Sequence, residues 1–149
     1  MSAQRSGAAR STSLGRYDRR VGFKVGIDLV SVEAVEESIR VHSERYLGRV
    51  YTVREMRDCS TPAGTPDARS LAARFAAKEA AMKVLRAGDE ALPWRSIGVR
   101  RDRLGSPSLE LSGAAARLAQ ERGIEDLDVS MTHEGPFAAA VVIATVATN

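Results

Sequence analysis

One cysteine and two histidines in 149 residues remove several kinds of chemistry at once. Cys59 has no partner for an intrachain disulfide, and there is no Cys/His set for a structural zinc site. Its neighbours Asp58, Ser60, Thr61 and Pro62 read as loop, and an intracellular, reducing compartment fits the composition. Long apolar runs are also missing. The longest, Phe137 to Ala144, has the length of a strand and falls far short of the ~20 residues of a membrane-spanning helix. No G-x-S-x-G elbow, G-x-G-x-x-G turn or P-loop occurs, which sets aside the commonest serine hydrolase and nucleotide-fold signatures. Lysine is scarce: Lys24, Lys78 and Lys83 stand against nineteen arginines, and two of the three lie five positions apart.

The net charge of +3 invites a nucleic-acid reading, but its distribution opposes it. In residues 1–20 five arginines face Asp18 alone, so the tail carries +4 and the other 129 residues carry −1. Basicity confined to a tail, with aromatics at 5%, is not the footprint of a nucleic-acid-binding domain. Rich in Ser, Ala, Gly and Arg, residues 1–20 read as a disordered tail; an Arg/Ser-rich, acid-poor start also resembles an organellar transit peptide. Residues 21–149 then form one domain. At 44% hydrophobic residues the chain can bury a core.

Patterning supplies the elements. Val21, Phe23, Val25, Ile27 and Leu29 alternate with Gly22, Lys24, Gly26 and Asp28, which predicts a strand with the apolar side as its core face. Ser31 caps a helix over about Val32 to Ser43. Thr52 and Glu55 have capping-box spacing for a short helix through Arg57, and residues 58–69 read as loop. Leu71 to Ala87 predicts a long helix ended by Gly88, with Leu71, Phe75, Met82 and Leu85 on its apolar face. Ile97–Arg101 and Ser108–Leu111 are expected as strands about Gly105, Ser106 and Pro107. A helix capped by Ser112 runs over Ala114–Arg122 and stops at Gly123. Leu127–Thr132 and Phe137–Val146 form a hairpin about Glu134-Gly135-Pro136. That order gives the α+β class, a small antiparallel sheet packed with helices.

Three groups of residues could carry chemistry. Asp28 ends an apolar strand just before a helix; on its own it reads equally as a carboxylate favoured by the positive helix end. In Arg74-Phe75-Ala76-Ala77-Lys78-Glu79-Ala80-Ala81-Met82-Lys83, Glu79 and Lys83 are four apart and share a face, as do Arg74 and Lys78 on an adjacent one. Small Ala72 and Ala76 leave room there for a ligand or another backbone. Polyphosphates call for positive charge and a hard cation held by one or two carboxylates. Asp28 with Glu79 could supply these carboxylates, and Arg74, Lys78 and Lys83 the positive charge. A solvated helix with an ion pair worth ~0.3–0.5 kcal/mol is the plainer alternative. Third, Ser130-Met131-Thr132-His133 sits at the hairpin mouth, where His133 could donate to a phosphate or simply hold structure.

Taken in order and at their separations, Val25-Gly26-Ile27-Asp28-Leu29-Val30, the Arg74–Lys83 segment and Ser130–His133 resemble the holo-acyl-carrier-protein synthase (AcpS-type) family of phosphopantetheinyl transferases. The likeness spans residues 23 to 144 and includes the Trp94-x-x-Ile97 strand start and the Pro107 turn. It implies a small α+β homotrimer that binds coenzyme A between subunits. Asp28 and Glu79 would hold Mg2+. Arg74, Lys83, His133 and its neighbour Thr132 would meet phosphates or adenosine, Lys78 being the motif's other lysine. The implied reaction moves 4′-phosphopantetheine to a serine of an apo acyl carrier protein of fatty-acid or polyketide synthesis and releases 3′,5′-ADP. Glu79 is the candidate proton acceptor, with Asp28 and Lys83 beside it, in a cytoplasmic protein with no membrane or nucleic-acid partner. One departure stands out. The family has an Arg about six residues past the Asp, facing acidic residues of the carrier; this chain reads Glu33-Ala34-Val35-Glu36-Glu37. Docking then falls to Arg40, Arg45 and Arg49, or to a carrier with a less acidic recognition helix. The rival functions are a noncatalytic coenzyme A or nucleotide binder of the same fold, and a nucleic-acid-binding module using the tail.

Overall fold

The computed structural model describes residues 21–88 and 91–147, so the expectation for residues 1–20 lies outside the described residues. In chain order these are β1 (Val21–Ser31), α1 (Val32–Val50), α2 (Val53–Asp58), α3 (Ala68–Leu85), a 3-10 turn (Trp94–Ser96), β2 (Ile97–Arg101), β3 (Pro107–Leu111), α4 (Gly113–Glu121), β4 (Ile124–Glu134) and β5 (Phe137–Ala147). The strands form two antiparallel sheets, β1-β5-β4 and β2-β3, which bears out the α+β reading. Gly135, at φ 54, opens the two-residue link of the β4–β5 hairpin.

Helix α3 lies on one face of the three-stranded sheet. Its alanines explain why: Ala72, Ala73, Ala76, Ala77, Ala80 and Ala81 are all buried, so the helix can approach neighbours on several sides. The closest approach is at Gly26. A Cβ there would stand 2.1 Å from the Ala80 carbonyl oxygen, so only glycine allows β1 to lie this near the helix backbone. The small residues on α3 therefore make room for a strand. Leu71 and Leu85 are buried as expected, while Phe75 and Met82 are half-buried.

That contact reverses the expected facing of β1. Val21, Phe23, Val25, Ile27 and Leu29 are 44–69% exposed, and Gly26 and Asp28 face α3 instead. Alternation reveals two faces but not which one meets the helix. Across the register, Val25 pairs with Ile143 and Ser31 with Phe137, and both β5 residues are exposed too, giving one apolar outer surface.

The ends of the helices show smaller departures. The main chain at Ser43 (φ 45, ψ −127) breaks α1 where the sequence predicted its end, and a second segment continues to Val50 and buries Leu47. Helix α3 ends at Arg86 in the left-handed conformation, two residues before Gly88. Ser112 makes no side-chain cap; its hydroxyl lies 3.5 Å from the Ser96 carbonyl oxygen. Gly123, at φ 66, does follow α4.

Gly26→Ala sets a methyl group against main chain that cannot swing aside. It should cost at least ~1–3 kcal/mol, the usual price of overpacking, and equilibrium urea unfolding will measure it.

Candidate active site

The β1–α3 contact brings the first two motifs together. Asp28 lies two residues beyond Gly26 on the same face of β1, and Glu79 immediately precedes Ala80. Lys83, one turn further along α3, donates to Asp28 Oδ1 at 3.0 Å and to the Ile27 carbonyl at 2.7 Å. Its side chain is 53% exposed and that of Asp28 18%. Glu79 completes the group. Burial and the neighbouring Asp28 carboxylate hold its carboxyl above the ordinary carboxylate range, while Lys83 pulls it back. Two carboxylates and one ammonium thus meet at the surface from positions about fifty residues apart.

Lys78 needs a correction. The sequence allowed it to neutralise phosphate, but it lies in the core with its side chain 0% exposed. At ~100° per residue it points well away from Glu79. Its ammonium pairs with Glu55 Oε2 at 2.9 Å and donates to the carbonyls of Trp94, at 3.2 Å, and Ile97. The Tyr51 ring covers it at 6.0 Å. Burial pulls the Lys78 ammonium below its usual value, and Glu55 opposes that shift. Glu55 also accepts from the main-chain N–H groups of Thr52 (2.8 Å) and Val99 (2.9 Å). The capping box was legible in the sequence; nothing there showed that its glutamate is also a buried counter-ion.

Arg74 is buried as well, at 1% exposure. Nη1 reaches the Ser70 carbonyl at 3.3 Å, and Nε and Nη2 have no hydrogen-bond partner among the described residues. A buried guanidinium with free donors is costly unless an anion or acceptor reaches it. Arg74 and Glu79 are five residues apart, about 140° around the helix, so they do not share a face.

His133 and Thr132 sit on β4, both exposed. The register runs Asp28–Ala140–Met131 and Val30–Ala138–His133, which puts His133 two strands across from Asp28 and two residues along. Asp67, the N-cap of α3, lies within electrostatic reach of His133. Arg74, Asp67 and His133 therefore belong to the N-terminal half of α3, and Asp28, Glu79 and Lys83 to the other half. Burial pushes the Cys59 thiol up to about 12, which makes it a poor nucleophile.

No group of three or more His, Cys, Asp or Glu gathers among the described residues. Two carboxylates with hard oxygen donors nonetheless fit Mg2+, which usually takes one or two protein carboxylates and completes its shell with phosphate and water. The raised pKa of Glu79 comes first from burial and then from the nearby Asp28 carboxylate, a closeness of two anions that a divalent cation would relieve. The two lysines should separate cleanly on substitution. Lys78→Met leaves Glu55 buried without its counter-ion and should cost ~3–5 kcal/mol. Lys83→Met breaks a half-exposed pair and should cost no more than ~1 kcal/mol. Chemical denaturation of both variants checks the contrast.

The sequence profile of the 4′-phosphopantetheinyl transferase superfamily matches residues 24–142. The holo-[acyl-carrier-protein] synthase of Halothermothrix orenii is 40% identical over 119 residues, covering 80% of this chain and 94% of that protein. Among solved structures, the Mycobacterium tuberculosis acyl carrier protein synthase is 38% identical and superposes with a TM-score of 0.64, over 83% of this chain and 96% of that one. The Helicobacter pylori enzyme in complex with coenzyme A gives 0.70 at 28% identity, over 81% and 99%. Fold, motif order and these likenesses agree: the chain belongs to the 4′-phosphopantetheinyl transferase superfamily, within its holo-[acyl-carrier-protein] synthases.

Proposed function

We propose that the chain transfers 4′-phosphopantetheine from coenzyme A to a serine hydroxyl of an apo acyl carrier protein of fatty-acid or polyketide synthesis, releasing 3′,5′-ADP. The observation that carries this reading is the convergence of Asp28, Glu79 and Lys83 at the β1–α3 contact. Asp28 and Glu79 are the residues to hold Mg2+, which when bound offsets charge on the diphosphate and the departing phosphate. Lys83, half exposed and tied to Asp28 by one ion pair, is the residue proposed to turn its ammonium toward that diphosphate. In the transfer the serine Oγ forms a bond to the phosphorus bearing pantetheine, the bond from that phosphorus to the bridging oxygen breaks, and the hydroxyl proton leaves. Glu79 is the candidate acceptor, as the partly buried carboxylate that shares this site with Asp28 and Lys83.

Arg74, His133 and Thr132 are proposed to meet the remaining phosphate or the adenosine of coenzyme A. The unsatisfied Nε and Nη2 of Arg74 are the donors such an anion would satisfy. Arg74 and Lys83 lie nine positions apart on α3, ~13.5 Å along the axis. A site shared between chains would let one subunit supply each end, and the exposed apolar face of β1 and β5 supports a homotrimer. No described helix is long and apolar enough to cross a membrane, and a single buried thiol suits a cytoplasmic setting. A noncatalytic relative would have no need of the paired carboxylates, and the nucleic-acid reading rests on residues outside those described.

Incubated with apo carrier, coenzyme A and Mg2+, the protein should add one phosphopantetheine mass to the carrier. Folded Glu79→Gln should add none; near-normal turnover would remove Glu79 from both of its roles. Because Glu79 must lose its proton to take a cation, the Mg2+ concentration needed should rise about tenfold per pH unit below its elevated pKa and level off above it. Sedimentation should give three chains per particle. Phe23→Asp with Val25→Asp, at positions 69% and 65% exposed in the single chain, should give a folded particle of lower mass.

A further inference from the structure

The residue that caps α3 is an arginine where a glycine would be easier. Arg86 takes the left-handed conformation, at φ 51 and ψ 51. Glycine commonly holds such a cap, because a side chain there crowds the following carbonyl oxygen. This chain has a glycine close by: Gly88, two residues on, is itself left-handed at φ 55. Among the described residues, Ser43 is the only other non-glycine at positive φ. The conformation of Arg86 is closed by two main-chain hydrogen bonds. Its own N–H donates to the Lys83 carbonyl and the Ala87 N–H to the Met82 carbonyl, each at 3.2 Å. A bulky residue held where glycine fits better points to a use for its side chain.

The cap falls on the face of α3 that carries the paired charges. At ~100° per residue, Arg86 stands ~20° to one side of Glu79 around the helix and Lys83 ~40° to the other. Along the axis, Lys83 lies ~6 Å beyond Glu79 and Arg86 ~10.5 Å beyond it. Lys83 is already engaged, donating to Asp28 Oδ1 and to the Ile27 carbonyl. Arg86 is exposed and makes no ion pair among the described residues. Favourable charge at a helix end is the plainer account of a cation here. That role needs no left-handed residue, and Lys83 fills it from within the last turn. What Arg86 adds is a planar fork of donors, which fits the oxygens of a phosphate two at a time.

Resting on the transfer reading above, we propose that Arg86 is a further substrate-binding residue, whose guanidinium holds the diphosphate of coenzyme A from the C-terminal end of α3. Its N–H groups donate to non-bridging phosphate oxygens, and it stays charged throughout, giving up no proton. Beside Asp28, Glu79 and Lys83 it supplies a second cation for the charge that gathers on the diphosphate as the bond to the bridging oxygen breaks. The left-handed cap is then a cost in stability accepted for the sake of binding.

The test pairs calorimetric titration with coenzyme A, in the presence of Mg2+, with urea unfolding of the same preparations. Arg86→Gly should unfold at a higher urea concentration than the wild type, because glycine takes the left-handed cap freely. It should nonetheless bind coenzyme A at least ~10-fold more weakly. These opposite signs separate a lost contact from a damaged fold, which would lower both. Arg86→Lys keeps the charge without the fork and should show a smaller loss, about threefold. In Arg86→Gly, 3′-dephospho-coenzyme A, which retains the diphosphate, should lose as much affinity as coenzyme A. Unchanged coenzyme A binding in Arg86→Gly, a loss seen with coenzyme A and not with its 3′-dephospho form, or stability and affinity falling together would overturn the proposal. Mass transfer by the wild type is scored separately. A wild type that transfers, beside an Arg86→Gly protein that binds coenzyme A equally well, removes Arg86 alone; a wild type that neither binds coenzyme A nor transfers removes the transfer reading with it.

Discussion

A strand without a side chain at one position, set against a helix of alanines, is the contact on which the rest of the site depends. Gly26 lets β1 approach the Ala80 carbonyl more closely than any other residue would allow. The next inward residue of β1 is Asp28, and the residue before Ala80 is Glu79. Spacing between the two main chains thus becomes spacing between two carboxylates. Burial first, and then repulsion between like charges so placed, make Glu79 resist losing its proton. A buried core that includes Ala140, Val142 and Ala144 of β5 and Ala80 of α3 backs this contact.

The two lysines of α3 show why a chain so rich in arginine uses lysine here. Lys78 fills a closed space in which a compact ammonium meets one carboxylate oxygen and two carbonyls, an arrangement that a planar guanidinium could not match. It thereby joins Glu55 on α2 to the carbonyls of Trp94 and Ile97 around the 3-10 turn. Lys83 has the same chemistry in the opposite environment: half exposed, with one carboxylate and one carbonyl as partners. One is a structural tie and the other is free to exchange partners, although the sequence presents them as a pair.

Legibility in the sequence followed the range of the forces involved. The capping box at Thr52 and Glu55, the hairpin around Gly135 and the stop at Gly123 were readable because each is decided within a few residues. The gathering of Asp28, Glu79 and Lys83 was readable only through motif order, since no local pattern joins positions fifty apart. Two features were out of reach. The facing of β1 depends on which side α3 approaches, and alternation is symmetric in that respect. The burial of Lys78 depends on Glu55, whose side chain looked fully employed as a cap.

Strand β1 lies at an edge of its sheet, with β5 as its only neighbour among the described residues. Its odd-numbered residues from Val21 to Leu29 turn greasy side chains outward, while the intervening ones include Asp28. A single ribbon of peptide therefore serves two surfaces. A second chain covering the outer side would also damp the fluctuations of the ribbon that carries the acid, and dilution that removed such a cover would then loosen the reaction centre before the protein itself unfolds.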